Sequence, residues 1–345
     1  MIKSNNNPVK EIINEEVSLF SMWIRSVRRR AARPVSGVRS TGGDVRGSGG
    51  RGLAITPPME EIPVDGPLID EQSLTIEPAP PMLGLPPASI AGALLEFGIT
   101  LASASQRVLM LDYDGTLAPF KVERMEATPY DGVREAVAQI MAMGDRVVII
   151  SGRLATEVAT LINLDPMPEI WGCHGWERLV GGELSRLPLA PKQSERLFKA
   201  GYTLKNEGFQ SRLEYKHGSL ALHWRGTTED EKSAILTAGL RAMEPASGVD
   251  MKMHRFDGGL ELRATGRDKG VVVKEILSGL DPKTPVAYLG DDLTDEDAFR
   301  AVQSRGLGVL VRPEPRETAA SVWLKPPEEL IEFFGLWLKS TQRKS

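Results

Sequence analysis

The chain has 345 residues, 41% of them hydrophobic and 26% charged, with a formal net charge of −4. That profile suits an ordinary soluble globular protein and argues against general nucleic-acid affinity. A single cysteine, Cys173, excludes an intramolecular disulfide framework and any multi-cysteine zinc site. No uncharged apolar run reaches the roughly 18 residues that a membrane-crossing helix needs.

The charge is unevenly placed. Residues 1–52 carry ten Lys/Arg against four Asp/Glu, with eight arginines between Arg25 and Arg51 and a Gly/Ser-rich run over 41–52. From Leu53 to Pro87 the chain turns acidic and holds nine prolines. Such composition buries too little apolar surface to offset ordering entropy, so residues 1–88 are expected to form a disordered tail. The Arg/Ser-rich stretch has some character of a targeting peptide, against which Glu11, Glu15 and Glu16 count unless translation starts at Met22.

From about residue 88 the patterns become those of folded elements. Ala88 to Ser105 reads as a helix. Arg107 to Asp112 (RVLMLD) and Arg146 to Ile150 (RVVII) are continuous apolar runs, as in strands buried on both faces. Between them, Val133, Val137, Ile140 and Met141 share one helical face, with Asp131 as the expected N-cap, and a further helix is expected from Ser151. Residues 192–206, 211–225, 228–243 and 249–263 read as helix, two strands, helix and two strands, a compact α+β unit. βα alternation then resumes, with a helix from Lys269 capped by Asp268, a strand Val286 to Leu289, a helix from Thr294, a strand Leu307 to Val311 and a last helix from Pro327. The expected fold is an α/β parallel-sheet core at 89–184 and 260–345, interrupted by a small α+β unit at 185–259.

Three of the apolar strands end in polar groups: Asp112-Tyr113-Asp114-Gly115-Thr116, Ser151-Gly152-Arg153 and Gly290-Asp291-Asp292. Each alone is an ordinary turn sequence. Together, at the carboxyl ends of parallel strands, they converge on one crevice. Clustered Asp112, Asp114 and Asp291 would repel one another without a cation, and their hard oxygens suit Mg²⁺. Ser151 and Lys269, at expected helix starts, would add an anion site, although a lone lysine is more commonly a solvated surface group.

Over 107–340 the chain resembles the trehalose-phosphatase family of the haloacid-dehalogenase (HAD) superfamily. The superfamily resemblance rests on LDYDGTLAP (111–119), ISGR (150–153), the lysine of RDKG (267–270) and YLGDDLTDEDAF (288–299); GCHGWE (172–177), LEYKHGSLALHWR (213–225) and GLELRATGRDKG (259–270) carry the narrower one. It implies a HAD-like Rossmannoid sheet with an inserted α+β cap, and a Mg²⁺-dependent hydrolysis of trehalose 6-phosphate through an aspartyl-phosphate. It further implies Asp112 as nucleophile, Asp114 as general acid and base, and Ser151 and Lys269 on the phosphoryl oxygens. Mg²⁺ would be held by Asp112, the Asp114 carbonyl and Asp291, with Asp292 and Asp295 orienting ligands or waters. Glu214 and Lys216, two apart on a strand and so on one face, match sugar-contacting cap positions, as do Glu261, Arg153 and His174; an exposed ion-pair face is the plainer reading of Glu214 and Lys216. The resemblance also implies a cytoplasmic monomer acting on a small molecule, with neither nucleic acid nor membrane as partner. The alternatives are another capped HAD sugar phosphatase, of sucrose- or mannosylglycerate-phosphate type, or a catalytically dead sugar-phosphate sensor, which should lack an aspartate at 112 or 114, or Lys269.

Overall fold

The structure is a computed structural model that describes residues 97–256 and 258–342; the expected tail over 1–88 and the start of the first helix lie outside them. Strand β1, Val108–Leu111, is buried along its whole length. Its side chains alternate between two cores: Leu109 and Leu111 enter one hydrophobic cluster, Val108 and Met110 the other. Strands β2 (Arg146–Ile150) and β3 (Glu169–Gly172) extend the sheet on one side. All of these run parallel, and β4 (Glu177–Val180) and β5 (Glu183–Arg186) close that edge as antiparallel strands.

The inserted unit follows. Helix α3, Pro191–Asn206, leads to β6 (Leu213–Lys216) and β7 (Ser219–His223); α4, Glu229–Met243, leads to β8 (Met251–Phe256) and β9 (Gly259–Ala264). The expected helix–strand–strand repeat is therefore present, as an antiparallel sheet of order β6-β7-β9-β8. Thr228 and Glu231 form a capping box at the start of α4. The small sheet reaches Ala264 and the large one Arg186, so the expected limits at 184/185 and 259/260 fall inside β5 and β9.

Helix α5, Lys269–Ser278, returns the chain to the core, followed by β10 (Val286–Gly290), α6 (Glu296–Val302), β11 (Leu307–Val311), β12 (Val322–Leu324) and α7 (Glu328–Gln342). Among the described residues the large sheet has the order β12-β11-β10-β1-β2-β3-β4-β5. Helices α1 (Val133–Ala142) and α2 (Ala155–Ile162) cover one face with α7, while α5 and α6 cover the other. This is the expected α/β parallel-sheet core with an inserted α+β unit.

Two local expectations are corrected. Asp131 does not cap α1; the N-cap is Gly132 at φ +84°, a left-handed turn that glycine adopts without steric cost. The helix after β2 starts at Ala155 rather than Ser151, because residues 151–154 form a turn first. Asp268 does cap α5, its Oδ1 accepting from Val271 N at 2.7 Å.

Helix α7 is pinned through a buried polar trio. The Trp337 indole N–H donates to Asp145 Oδ2 at 2.8 Å, and Arg107 Nη1 reaches Asp145 Oδ1 at 3.2 Å. Trp337→Phe leaves the buried carboxylate one donor short and should lower unfolding free energy by about 1–3 kcal/mol. Urea unfolding checks this; an unchanged midpoint would contradict it.

Candidate active site

Parallel register brings the strand ends together. Val108 pairs with Val286 on one side and Arg146 on the other, so β10, β1 and β2 end side by side. Asp291, Asp112 and Ser151 follow these strands directly, and all three are buried.

Asp112, Asp291 and Asp295 each place a carboxylate oxygen within 4.8 Å of the others. One ammonium sits among them: Lys269 Nζ lies 2.8 Å from Asp112 Oδ1 and 2.7 Å from Asp295 Oδ1, at 3% side-chain exposure. Burial opposes the Lys269 charge, but the two carboxylates outweigh it and hold its pKa above the ordinary lysine value. Asp112 shifts upward, because burial and the Asp295 charge exceed the relief from Lys269. Asp291 rises well above the carboxylate range, through burial and the charges of Asp112 and Asp295.

The loop that carries Asp291 is organised by Asp295. Its Oδ2 accepts from the backbone N–H groups of Asp291 (3.1 Å) and Asp292 (3.0 Å), and its Oδ1 takes Lys269 and the Tyr288 hydroxyl. Asp295 is thus fully engaged by donors. Asp292 stands outside the cluster, its Oδ1 capping the next turn through Leu293 N at 2.7 Å. Asp291 Oδ1, by contrast, is buried with no hydrogen-bond partner. A buried carboxylate oxygen facing other carboxylates needs a cation, so these residues fit a hard divalent ion. Space is kept for this by Gly115, at φ +78°, where a Cβ would fall 2.0 Å from Asp291 Oδ2.

Asp114 lies outside that trio. Arg153 grips both of its oxygens, Nε and Nη2 each at 2.6 Å, in a bidentate pair. Ser151 Oγ accepts from Arg153 N at 3.2 Å. His174 follows Cys173 in a run of three positive-φ residues ending at Gly175, and its ring lies over Gly152, where a Cβ would meet Nε2 at 2.6 Å. Burial keeps His174 neutral, with Arg263, Lys269 and Lys216 adding to the effect and Glu261 opposing it.

Lys269 belongs to the core, whereas Arg263, Glu261 and Lys216 belong to the inserted sheet, so His174 lies where the two units meet. One face of that sheet is polar in successive cross-strand rows: Glu214, Ala221, Glu261 and His254, then Lys216, Ser219, Arg263 and Lys252. The other face carries Leu220, Leu222, Leu260 and Leu262, buried against the two helices. Glu261 accepts from Ser219 Oγ at 2.7 Å and Arg263 Nη2 at 2.5 Å. Glu214 lies 3.6 Å from Lys216 Nζ, accepts from His223 Nε2 at 2.9 Å and pairs with Arg124. Burial works against its charge, yet His223, Lys216 and Arg124 hold its pKa at about 2.

The structure therefore brings Asp112, Asp291, Asp295, Lys269, Ser151, Asp114 and Arg153 to one crevice, with His174 at its border with the face bearing Glu214, Lys216 and Glu261. Tyr288, Arg124, His223, Ser219 and Arg263 bond directly to these residues, although no sequence signal singles them out. Tyr288 is hidden in an apolar strand, and the others gain meaning only from strand pairing or tertiary contact.

A family model described as trehalose-phosphatase matches residues 110–326. Over 269 residues the chain is 31% identical to the trehalose 6-phosphate phosphatase RA3 of Zea mays, covering 70% of this chain and 73% of that protein. It is 32% identical over 248 residues to the trehalose-phosphate phosphatase of Mycobacterium marinum, covering 66% of this chain and 60% of the other. In fold it resembles the C-terminal domain of Candida albicans trehalose-6-phosphate phosphatase, with a TM-score of 0.58 and 21% identity over 70% of this chain and 94% of that one.

His254, on the polar face, is held near pKa 4 by burial and by the Arg263 and Lys252 charges, against the opposing effect of Glu261. The unfolded chain binds a proton at the ordinary histidine value near 6.5 while the folded chain resists until about 4. Stability from this group is therefore present above pH 6.5 and lost as the pH falls toward 4. His254→Gln should reduce the drop in thermal midpoint between pH 7 and 5, measured by circular dichroism; an equal drop in both proteins would refute the assignment.

Proposed function

The chain belongs to the trehalose-phosphatase family of phosphoric monoester hydrolases, and on that footing we propose that it hydrolyses trehalose 6-phosphate to trehalose and inorganic phosphate, the last step in making trehalose. The observation that carries this reading is the buried trio Asp112, Asp291 and Asp295 around a single ammonium, with one Asp291 oxygen buried and without a hydrogen-bond partner.

Asp112 is read as the nucleophile. A carboxylate oxygen attacks phosphorus, the bond from phosphorus to the sugar oxygen breaks, and Asp114 gives that oxygen a proton, leaving an aspartyl-phosphate. Asp114 then takes a proton from a water molecule whose oxygen attacks phosphorus, releasing phosphate and restoring Asp112. Arg153 occupies both oxygens of Asp114. Acting as an acid therefore requires Arg153 to give up at least one of those bonds, and the substrate is the partner that would draw it away. Ser151 and Lys269 hold phosphoryl oxygens and offset their charge. Mg²⁺ would be held by Asp112, the Asp114 carbonyl and Asp291, and when bound it offsets the negative charge of the phosphoryl group. Asp295, saturated by donors, fixes the Asp291 loop, and Asp292 caps it.

The inserted unit is read as a cap that excludes water and selects the sugar. Trehalose presents hydroxyls, and Glu214, Lys216, Glu261 and His174 offer polar partners for them. The protein is further read as a cytoplasmic monomer that acts on a free sugar phosphate, without nucleic acid or membrane as partner; among the described residues no helix is long and apolar enough to cross a membrane.

A phosphate-release screen of the purified protein with Mg²⁺ against disaccharide and monosaccharide phosphates tests the substrate. Release from a sucrose or mannosylglycerate phosphate, but not from trehalose 6-phosphate, would reject it. Asp112→Asn should lower turnover on the order of 10⁴-fold or more with the fold intact by circular dichroism; appreciable phosphate release by the folded variant would rule out covalent catalysis at this residue. Lys216→Ala should raise KM for trehalose 6-phosphate about tenfold, by loss of a charged hydrogen bond, with a much smaller effect on p-nitrophenyl phosphate. Equal losses on both substrates would contradict its role as a sugar reader.

A further inference from the structure

We propose that Arg124 is a positioning residue that ties the sugar-reading strand of the inserted unit to the catalytic core; this rests on the reading of Glu214 as a sugar contact. Arg124 opens a short 3-10 turn, Arg124–Glu126, in the segment that follows the Asp112 and Asp114 loop. Apolar burial does not hold this segment in place, since Phe120, Val122 and Met125 are 64%, 81% and 50% exposed. Among residues 120–126, the side-chain bonds to other elements are those of Arg124.

The guanidinium bridges two carboxylates from different parts of the molecule. Nη1 donates to Glu214 Oε1 on β6, and Nη2 donates to Glu157 Oε2 on α2 at 2.9 Å. The backbone carbonyl of Arg124 accepts from Arg153 Nη1 at 2.8 Å, while Nε and Nη2 of that same Arg153 hold Asp114. A continuous chain of charged hydrogen bonds thus runs from Glu214 through Arg124 and Arg153 to Asp114. Lys216 and His223, the other cations on Glu214, lie on the inserted sheet itself; among the described residues Arg124 is its partner from the core.

An isolated surface ion pair would contribute little. Here the side chains of Glu214 and Glu157 are only 18% and 24% exposed, and the pairs form a network across a boundary between two units. The planar fork of arginine serves both carboxylates at once, which a single lysine ammonium on a flexible stem does less well. The position of the sugar reader and that of the proton donor are therefore referred to one residue, the first through its guanidinium and the second through its backbone carbonyl.

The test uses the full chain and two readouts. Cys173 is buried, so cysteines introduced at exposed Ser194 on α3 and Gln139 on α1 can be labelled selectively and the distance between the labels measured by pulsed electron resonance. Arg124→Met should broaden that distance distribution relative to the parent, with Arg124→Lys in between; an unchanged distribution would overturn the proposal. In the kinetic readout, the ratio of kcat/KM for trehalose 6-phosphate to kcat/KM for p-nitrophenyl phosphate should fall about tenfold in Arg124→Met, mainly through KM, and recover in part in Arg124→Lys. A ratio that stays constant also overturns it. Should the parent enzyme fail to hydrolyse trehalose 6-phosphate, the substrate reading fails, and the label distances alone then decide whether Arg124 ties the two units.

Discussion

Three carboxylates and one ammonium share a buried volume at the carboxyl edge of the large sheet, and their formal charges do not cancel. Mutual repulsion among Asp112, Asp291 and Asp295 grows as water is excluded, so the arrangement persists only if every geometric freedom around it is removed. The strand order supplies the first constraint, by placing β10 and β1 in parallel register. Asp295 supplies the second, spending both of its oxygens on donors that fix the Asp291 loop. Gly115 supplies the third by having no side chain. The unmet charge that is left has the sign and hardness that a divalent cation and a phosphoryl group together require.

The inserted sheet solves a different problem by simple alternation. Its leucines face the two helices and form a separate core, which leaves the opposite face free to carry polar and charged groups. Glu214 and Glu261 each lie beside a base on their own strand, Lys216 and Arg263, and Ala221 stands between the two acids in one cross-strand row. The core can therefore keep its charge balance while the inserted face is altered to suit another ligand.

Much of this can be read from the chain. The runs RVLMLD and RVVII are apolar enough to require burial on both faces, and the polar groups directly after them had to meet at one sheet edge. The α+β repeat was visible in its alternation of periods. What escaped was decided locally by a few atoms or by distant partners. Asp131 looked like a helix cap, but the backbone turned through Gly132 instead. Ser151 was expected to open a helix that begins only at Ala155. Strands β4 and β5 are short, and β5 is largely exposed, so neither shows an apolar pattern. Arg124 looks like one more charge in a charged loop until the fold sets Glu214 and Glu157 beside it.

The pairing of Val108 with Val286 has a bearing on synthesis as well as on geometry. A chain emerging from the ribosome presents Asp112 and Asp114 early, then the whole inserted unit, and only afterwards Lys269, β10 and Asp291. Until that late strand docks, β1 has an open edge, and until α5 is made Asp112 lacks its ammonium. Contacts so distant in sequence also form slowly. The order of the chain thus leaves the carboxylate cluster incomplete until β10 has been made and docked.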